Sequence, residues 1–296
     1  MGMLLDFVII GLSIGLVYGL VALGISLIYS GLDIVHFAHG DFFMFGAFFG
    51  LVILRDGGLS YPLTLFTAMI ITGLLGIIVE RLFYRRLTRG GGGYTVAGMG
   101  MIICGFGMAM VMQNIAYLIW GAAGYPMPVN FGMPIEIGTM FLPKSYLWIL
   151  IASVVLMALL HIFLKHTKIG LAVRAVAHNK DIAFLMGINV PLMISVIFGL
   201  ACGLAAAGGV LIGPINYVQV EMGYLMLIKA FAAAVVGGFG SLPGAILGGL
   251  LVGLFESLCA GYLHADYKDM YAFILLIAVL MIKPTGLFGL LAKVKA

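Results

Sequence analysis

The sequence predicts an all-α fold, a polytopic transmembrane helix bundle of about nine spans (eight to ten), N-terminus outside and C-terminus inside. Three observations predict it. Of 296 residues, 64% are hydrophobic and only 9% charged, where a soluble domain carries about a quarter charged. Apolar runs recur along the whole chain; a bilayer core about 30 Å thick takes about 20 residues per helix, so roughly eight to ten spans fill this length. Residues 1–296 are therefore expected to form one membrane domain. Third, Lys and Arg gather in a few of the polar breaks, as they do on the retained side of a membrane.

The apolar runs extend from Leu4 to Tyr29, Ile34 to Leu54, Pro62 to Phe83, Tyr94 to Trp120, Tyr146 to Leu164, Pro191 to Ile212, Tyr224 to Val236, Gly244 to Ala260 and Met270 to Ile282. The start, Met1 to Asp6, lacks a basic n-region and a small-residue cleavage site, so the first run is expected to be retained. The basic clusters are Arg81, Arg85, Arg86 and Arg89, then Lys165, Lys168, Arg174 and Lys180, then Lys283, Lys293 and Lys295. Two crossings separate the first cluster from the second and four separate the second from the third, so all three fall on one side. That parity places the N-terminus outside. The long break from Gly121 to Ser145, with Pro126, Pro128, Pro134 and Pro143, then lies outside and is long enough for a small ordered cap.

Gly11, Gly15 and Gly19 repeat every fourth residue, as do Gly199, Gly203 and Ala207, and Gly249 with Gly253. Small residues at this spacing make flat faces on which membrane helices approach closely. The net charge of +4 forms no patch on a solvated domain and gives no reason to expect nucleic acid. Cys104, Cys202 and Cys259 lie in apolar stretches without metal-type spacing and read as buried free thiols.

No G-x-x-x-x-G-K-[ST] occurs, so the chain has no P-loop and hydrolyses no nucleotide by that route. Gly90 to Gly93 follows a basic helix end and reads as a flexible connection. Gly237-Gly-Phe-Gly240-Ser241-Leu-Pro-Gly244 reads as a tight interhelical turn whose glycines admit unusual backbone angles. Asp33, His36, His39 and Asp41 open the second run; on a helix the first three spread over about 120° and Asp41 points away, which disfavours a metal site. A polar helix start or a broken helix end lining a cavity remains for them. Lys229 and Glu256 stand inside apolar runs on consecutive spans and form a candidate intramembrane ion pair, with a substrate-contacting role as the alternative. Gln113, Asn114, Asn216, Gln219 and Glu221 read as interfacial polarity. No nucleophile stands at helical spacing from a base, so no catalytic residue is assigned and the chain is not read as an enzyme.

Between the fifth and sixth runs, Lys165 to Val190 holds a short amphipathic helix, with Val173, Val176, Ala177 and Phe184 on one side and Arg174, His178 and Asp181 on the other. Gly187 ends it and Asn189-Val190-Pro191 leads into the next run. Composition leaves two readings open, a helix on the inner membrane surface and a docking helix for a cytoplasmic protein.

Resemblance separates them. Arg174-Ala-Val-Ala-His-Asn-Lys-Asp-Ile-Ala-Phe-Leu-Met-Gly-Ile-Asn189 resembles the cytoplasmic loop of permeases of bacterial ATP-driven branched-chain amino acid importers. Lys229-Ala-Phe-Ala-Ala-Ala-Val-Val-Gly-Gly-Phe-Gly-Ser-Leu-Pro-Gly-Ala245 resembles their C-terminal signature, as do Tyr267-Lys-Asp269 and Pro284-Thr-Gly286. His36-Phe-Ala-His-Gly-Asp41 resembles the family's Asn-Phe-Ala-His-Gly element, with His36 standing where the family carries Asn.

The resemblance covers almost the whole chain and implies a multi-pass permease of the bacterial inner membrane, without cofactor or metal of its own. It further implies a related second permease, two cytoplasmic ATPase subunits that use ATP and Mg, and a soluble binding protein that selects the substrate. By position it assigns Arg174, Ala175, Asn179, Asp181, Ala183 and Gly187 to coupling with the ATPase. His39, Asp41, Gly240 and Ser241 are the candidates for lining or gating the path. The cargo expected is Leu, Ile or Val; a urea or short-amide permease is the alternative, followed by a secondary transporter or a passive channel.

Overall fold

The first apolar run has no Pro and one charge, Asp6, and folds as the longest helix of the structure, α1 (Gly2–Leu32). This computed structural model describes residues 2–89, 94–137 and 140–289. The glycine connection Gly90 to Gly93 and the basic Lys293 and Lys295 lie outside the described residues. After α1 come α2 (His39–Gly57) and α3 (Tyr61–Val79); a π turn (Glu80–Tyr84) joins α3 to α4 (Arg85–Arg89), and α5 (Tyr94–Trp120) follows. A hairpin of β1 (Ile135–Ile137) and β2 (Met140–Leu142), with Ile135 opposite Leu142, precedes α6 (Lys144–His166). Then come α7 (Lys168–His178), α8 (Lys180–Leu185), α9 (Val190–Ile212), α10 (Met222–Gly237), α11 (Leu242–Tyr262) and α12 (Lys268–Ile282).

Each of the nine apolar runs is thus a helix. Among the described residues six helices are long and apolar enough to cross a membrane: α1, α3 with its extension, α5, α6, α9 and α11. The other three fall short for visible reasons. α2 carries Asp41, Arg55 and Asp56. α10 has 16 residues and α12 has 15, which at 1.5 Å per residue reach only about 24 and 22 Å.

Helix α1 runs through the middle of the bundle, against α11, α9, α10 and α6. Its seam with α11 is built of glycine: a Cβ on Gly15 would lie 2.8 Å from the Gly249 carbonyl oxygen, and one on Gly253 would meet the backbone of Gly15. The second glycine face, Gly199 and Gly203 on α9, receives the backbone of α3 at Gly73 and Met69. Backbones that close exclude side chains and gain dispersion contact, the packing that works in lipid, where no hydrophobic force separates helix from solvent. Cys202 is buried here beside Gly76, and all three cysteines are free.

Two places depart from the sequence reading. Residues 33–38 are not helical: α1 ends at Leu32, Asp33 takes φ +59, and helix resumes at His39. The helical angles assigned to Asp33, His36 and His39 therefore do not apply. The stretch Lys165 to Val190 contains two helices, because Asn179 at φ −161 breaks the chain between α7 and α8. The turn at Asn179 rotates the second helix relative to the first, so Val173 and Val176 are buried while Phe184, expected on the same side, is 69% exposed.

Candidate functional site

At one end of the bundle, where α6 and α7 join and α9 begins, α7 and α8 form a polar elbow. Asn179 Oδ1 accepts hydrogen bonds from the N–H groups of Asp181 and Ile182, each at 3.0 Å, and so caps α8. Gly187, at φ +80, closes α8: its N–H donates to the Phe184 carbonyl and that of Ile188 to the Ala183 carbonyl, both at 3.0 Å. This is the Schellman arrangement, which needs a left-handed residue after the helix and so selects glycine. Ala183 is buried beneath the turn, and Arg174 and Asp181 are exposed. Ile182, Phe184, Leu185 and Met186 form an apolar tip, with Leu185 82% exposed. Lys180 Nζ reaches 2.9 Å to Asp33 Oδ2, tying the elbow to the break between α1 and α2.

In that break His36 Nδ1 lies 2.7 Å from the Tyr84 hydroxyl at the π turn. His39 is buried, its ring against Gly24 of α1, where a Cβ would lie 2.5 Å from Nε2. Asp41 is buried and accepts 3.1 Å from Gln113 Nε2. Gly240, at φ +80, sits 3.4 Å from the Tyr29 ring by the same measure of an added Cβ, and Ser241 Oγ caps α11 by accepting from the Gly244 N–H at 3.2 Å. His39 and Gly240 therefore attach to α1 five residues apart, at Gly24 and Tyr29.

Lys229 and Glu256 meet at the other end, 2.6 Å apart. Two more groups complete the cluster, Tyr18, which the sequence reading did not single out, and Asp269, named there only within the Tyr267-Lys-Asp269 motif. The Tyr18 hydroxyl donates to Glu256 Oε2 at 2.9 Å and accepts from Lys229 at 3.2 Å, and Asp269 Oδ1 lies 2.7 Å from Lys229 Nζ. The cluster borders a cavity of about 710 Å³ that Asn216 and Gln219 also line. Those two, with Gln113, thus do more than decorate an interface. A further pair escaped notice as well, of buried Glu80 with half-buried Arg85: Glu80 accepts from Arg85 Nε and Nη2, both at 3.2 Å, and from Ser195 Oγ at 2.5 Å.

A bundle of apolar helices with buried charges inside it, a cavity at one end and a capped polar elbow at the other defines a multi-pass membrane protein built for transport. The family model described as "Branched-chain amino acid transport system / permease component" matches residues 7–280, and the chain belongs to that family. It is 31% identical over 295 residues to the high-affinity branched-chain amino acid transport system permease protein LivH of Escherichia coli K12, covering 94% of this chain and 93% of that one. To the corresponding permease protein BraD of Pseudomonas aeruginosa it is 36% identical over 296 residues, covering 94% of each. Among solved structures it resembles PsaBC from Streptococcus pneumoniae in complex with Fab, with a TM-score of 0.52 and 16% identity over 96% of this chain and 93% of that chain, a likeness of fold.

Proposed function

We propose that the chain is the translocation subunit of an ATP-binding-cassette importer that carries branched-chain amino acids across the bacterial inner membrane. It pairs with a related second permease, two cytoplasmic ATPase subunits that spend ATP with Mg, and a soluble binding protein that delivers Leu, Ile or Val. The residues 1–296 act as one membrane domain crossing nine times, N-terminus outside and C-terminus inside, which puts the elbow and its basic residues in the cytoplasm. α2, α10 and α12 complete the nine as shorter helices, α2 and α10 packed among their neighbours and α12 at the edge of the bundle with Tyr271 and Ala272 buried.

The observation that carries this reading is the α8 tip: an apolar surface held out on a capped helix, with charged Arg174 and Asp181 beside it. It has the shape of a helix laid into a groove of another protein. In this reading Arg174, Ala175, Asn179, Asp181, Ala183 and Gly187 are the coupling residues, and closure of the ATPase pair pushes the elbow. The push reaches α9 through the short link Asn189-Val190 and the α1–α2 break through Lys180–Asp33. His39, Asp41, Gly240 and Ser241 line or gate the path where those helices meet α1.

Gly187→Val tests it, because a β-branched residue at φ +80 is strained and unwinds the Schellman turn. In proteoliposomes containing the full transporter, leucine uptake falls at least about tenfold while membrane insertion is retained and ATP hydrolysis continues. Unchanged uptake overturns the coupling assignment. Asp41→Ala tests the path: uptake that stays at the parent rate removes Asp41 from it.

A further inference from the structure

The cavity of about 710 Å³ lies at the end of the bundle away from the elbow, among the start of α1, the end of α9, the start of α10, the end of α11 and the start of α12. Its volume is that of a small-ligand site. Phe7, Ile10 and Ile14 of α1, with Met222 and Met226 of α10, form an apolar wall. The same cavity is lined by two cations, Lys229 and Lys268, and two carboxylates, Glu256 and Asp269. The set is neutral in sum but presents both signs side by side, so it offers nothing to a simple ion that it does not also oppose.

The bonds within the set are unequal. Glu256 is buried and held by both Tyr18 and Lys229, whereas the Asp269 side chain is 47% exposed and held to Lys229 at 2.7 Å. The Lys229–Asp269 pair is therefore the one that can open, and it joins α10 to the first turn of α12.

We propose that this cavity binds a zwitterionic α-amino acid with an apolar side chain, inserted into the Lys229–Asp269 pair. The ligand carboxylate takes the place of Asp269 on Lys229, the ligand ammonium pairs with the freed Asp269, and the side chain rests on Phe7, Ile10 and Ile14. One ion pair becomes two, so no buried charge is left alone, which is the condition for the exchange to be favourable in a partly dry site. Leu, Ile and Val satisfy this geometry; an amide such as urea has no charges to offer. The inference rests on the importer reading and adds to it a site within this chain.

The test uses the complete transporter in lipid nanodiscs without binding protein, with binding followed calorimetrically for L-leucine, leucine amide and 4-methylpentanoate, the last two lacking the carboxylate or the ammonium group. L-leucine binds, and each analogue binds at least about tenfold more weakly, the ratio that about 1.4 kcal/mol confers. Ile10→Trp, which intrudes on the cavity, weakens leucine by at least the same factor, and Asp269→Asn, at a half-exposed position where folding is tolerant, weakens leucine but leaves 4-methylpentanoate bound at least as tightly, because Asp269 no longer competes with it for Lys229. Equal binding of leucine and 4-methylpentanoate, or leucine binding indifferent to Asp269→Asn, overturns the site. ATP-driven leucine uptake in the same preparation separates the two claims: uptake without binding at the cavity sinks the site alone, whereas no leucine uptake with binding protein and ATP sinks the importer reading beneath it.

Discussion

Two buried charge clusters sit at opposite ends of the bundle and are built differently. At the elbow end Glu80 is enclosed: both oxygens receive Arg85, Ser195 adds a third donor, and Arg85 also donates to the Pro191 carbonyl at 2.8 Å. At the far end Lys229 holds Glu256 and the half-exposed Asp269 on the wall of a cavity. The first cluster pins the start of α9 to the end of α3, with both Glu80 oxygens already taken by Arg85 and Ser195. The second has an outlet, a carboxylate able to move and space for something to replace it. Charge buried in a membrane helix is therefore not one kind of signal; what separates a brace from a site is whether a cavity adjoins it.

That contrast can be broken by substitution. Glu80→Ala takes the buried carboxylate away from Arg85 and Ser195, and removing one partner of a buried pair destabilises by about 3–5 kcal/mol; chemical unfolding in detergent should show the largest loss of any variant named here. Replacing both partners, Glu80→Leu with Arg85→Met, should restore most of that loss, since an apolar pair of similar size stabilises about as well. If the double variant is no better than the single one, Glu80 and Arg85 do more than brace. Glu256→Ala should cost less, about 1–3 kcal/mol, because Asp269 still neutralises Lys229 and cavity water can reach it; a loss equal to that of Glu80→Ala would mean that the two ends are alike after all. Asp33→Asn should change stability by less than about 1 kcal/mol, as expected for an exposed ion pair, yet lower uptake per ATP hydrolysed if the Lys180 link transmits motion. Unaltered coupling would leave that contact as surface decoration.

Hydropathy alone located a helix in each of the nine apolar runs, because each run is long, apolar and ended by glycine, proline or charge. The pairing of Lys229 with Glu256 was open to view for the same reason, two charges on neighbouring runs. Asp269 stood out only within the Tyr267-Lys-Asp269 motif, and its pairing with Lys229 was out of reach, since it lies at a helix start, where a carboxylate needs no explanation. Glu80 and Arg85 escaped differently. Five residues apart on an α-helix they would point about 140° away from each other; the π turn between them widens the helix and brings both to one face. Phe184 was misplaced by treating Lys168–His178 and Lys180–Leu185 as one helix, an error hidden in a single residue, Asn179, whose side chain caps the second helix and so ends the first.

The glycine seam between α1 and α11 has one more consequence. Where Gly15 and Gly19 face Gly249 and Gly253, backbone meets backbone, and beside that stretch Tyr18 donates to Glu256 at 2.9 Å and Ser257 Oγ to the Phe7 carbonyl at 2.7 Å. Most packed helices resist axial displacement because ridges of one must climb out of grooves of the other. Over this stretch there is no ridge to climb, so the axial register of α11 on α1 rests on those two hydrogen bonds rather than on interlocking side chains. Contact at that seam is intimate and yet smooth, a bearing held in place by two polar pins.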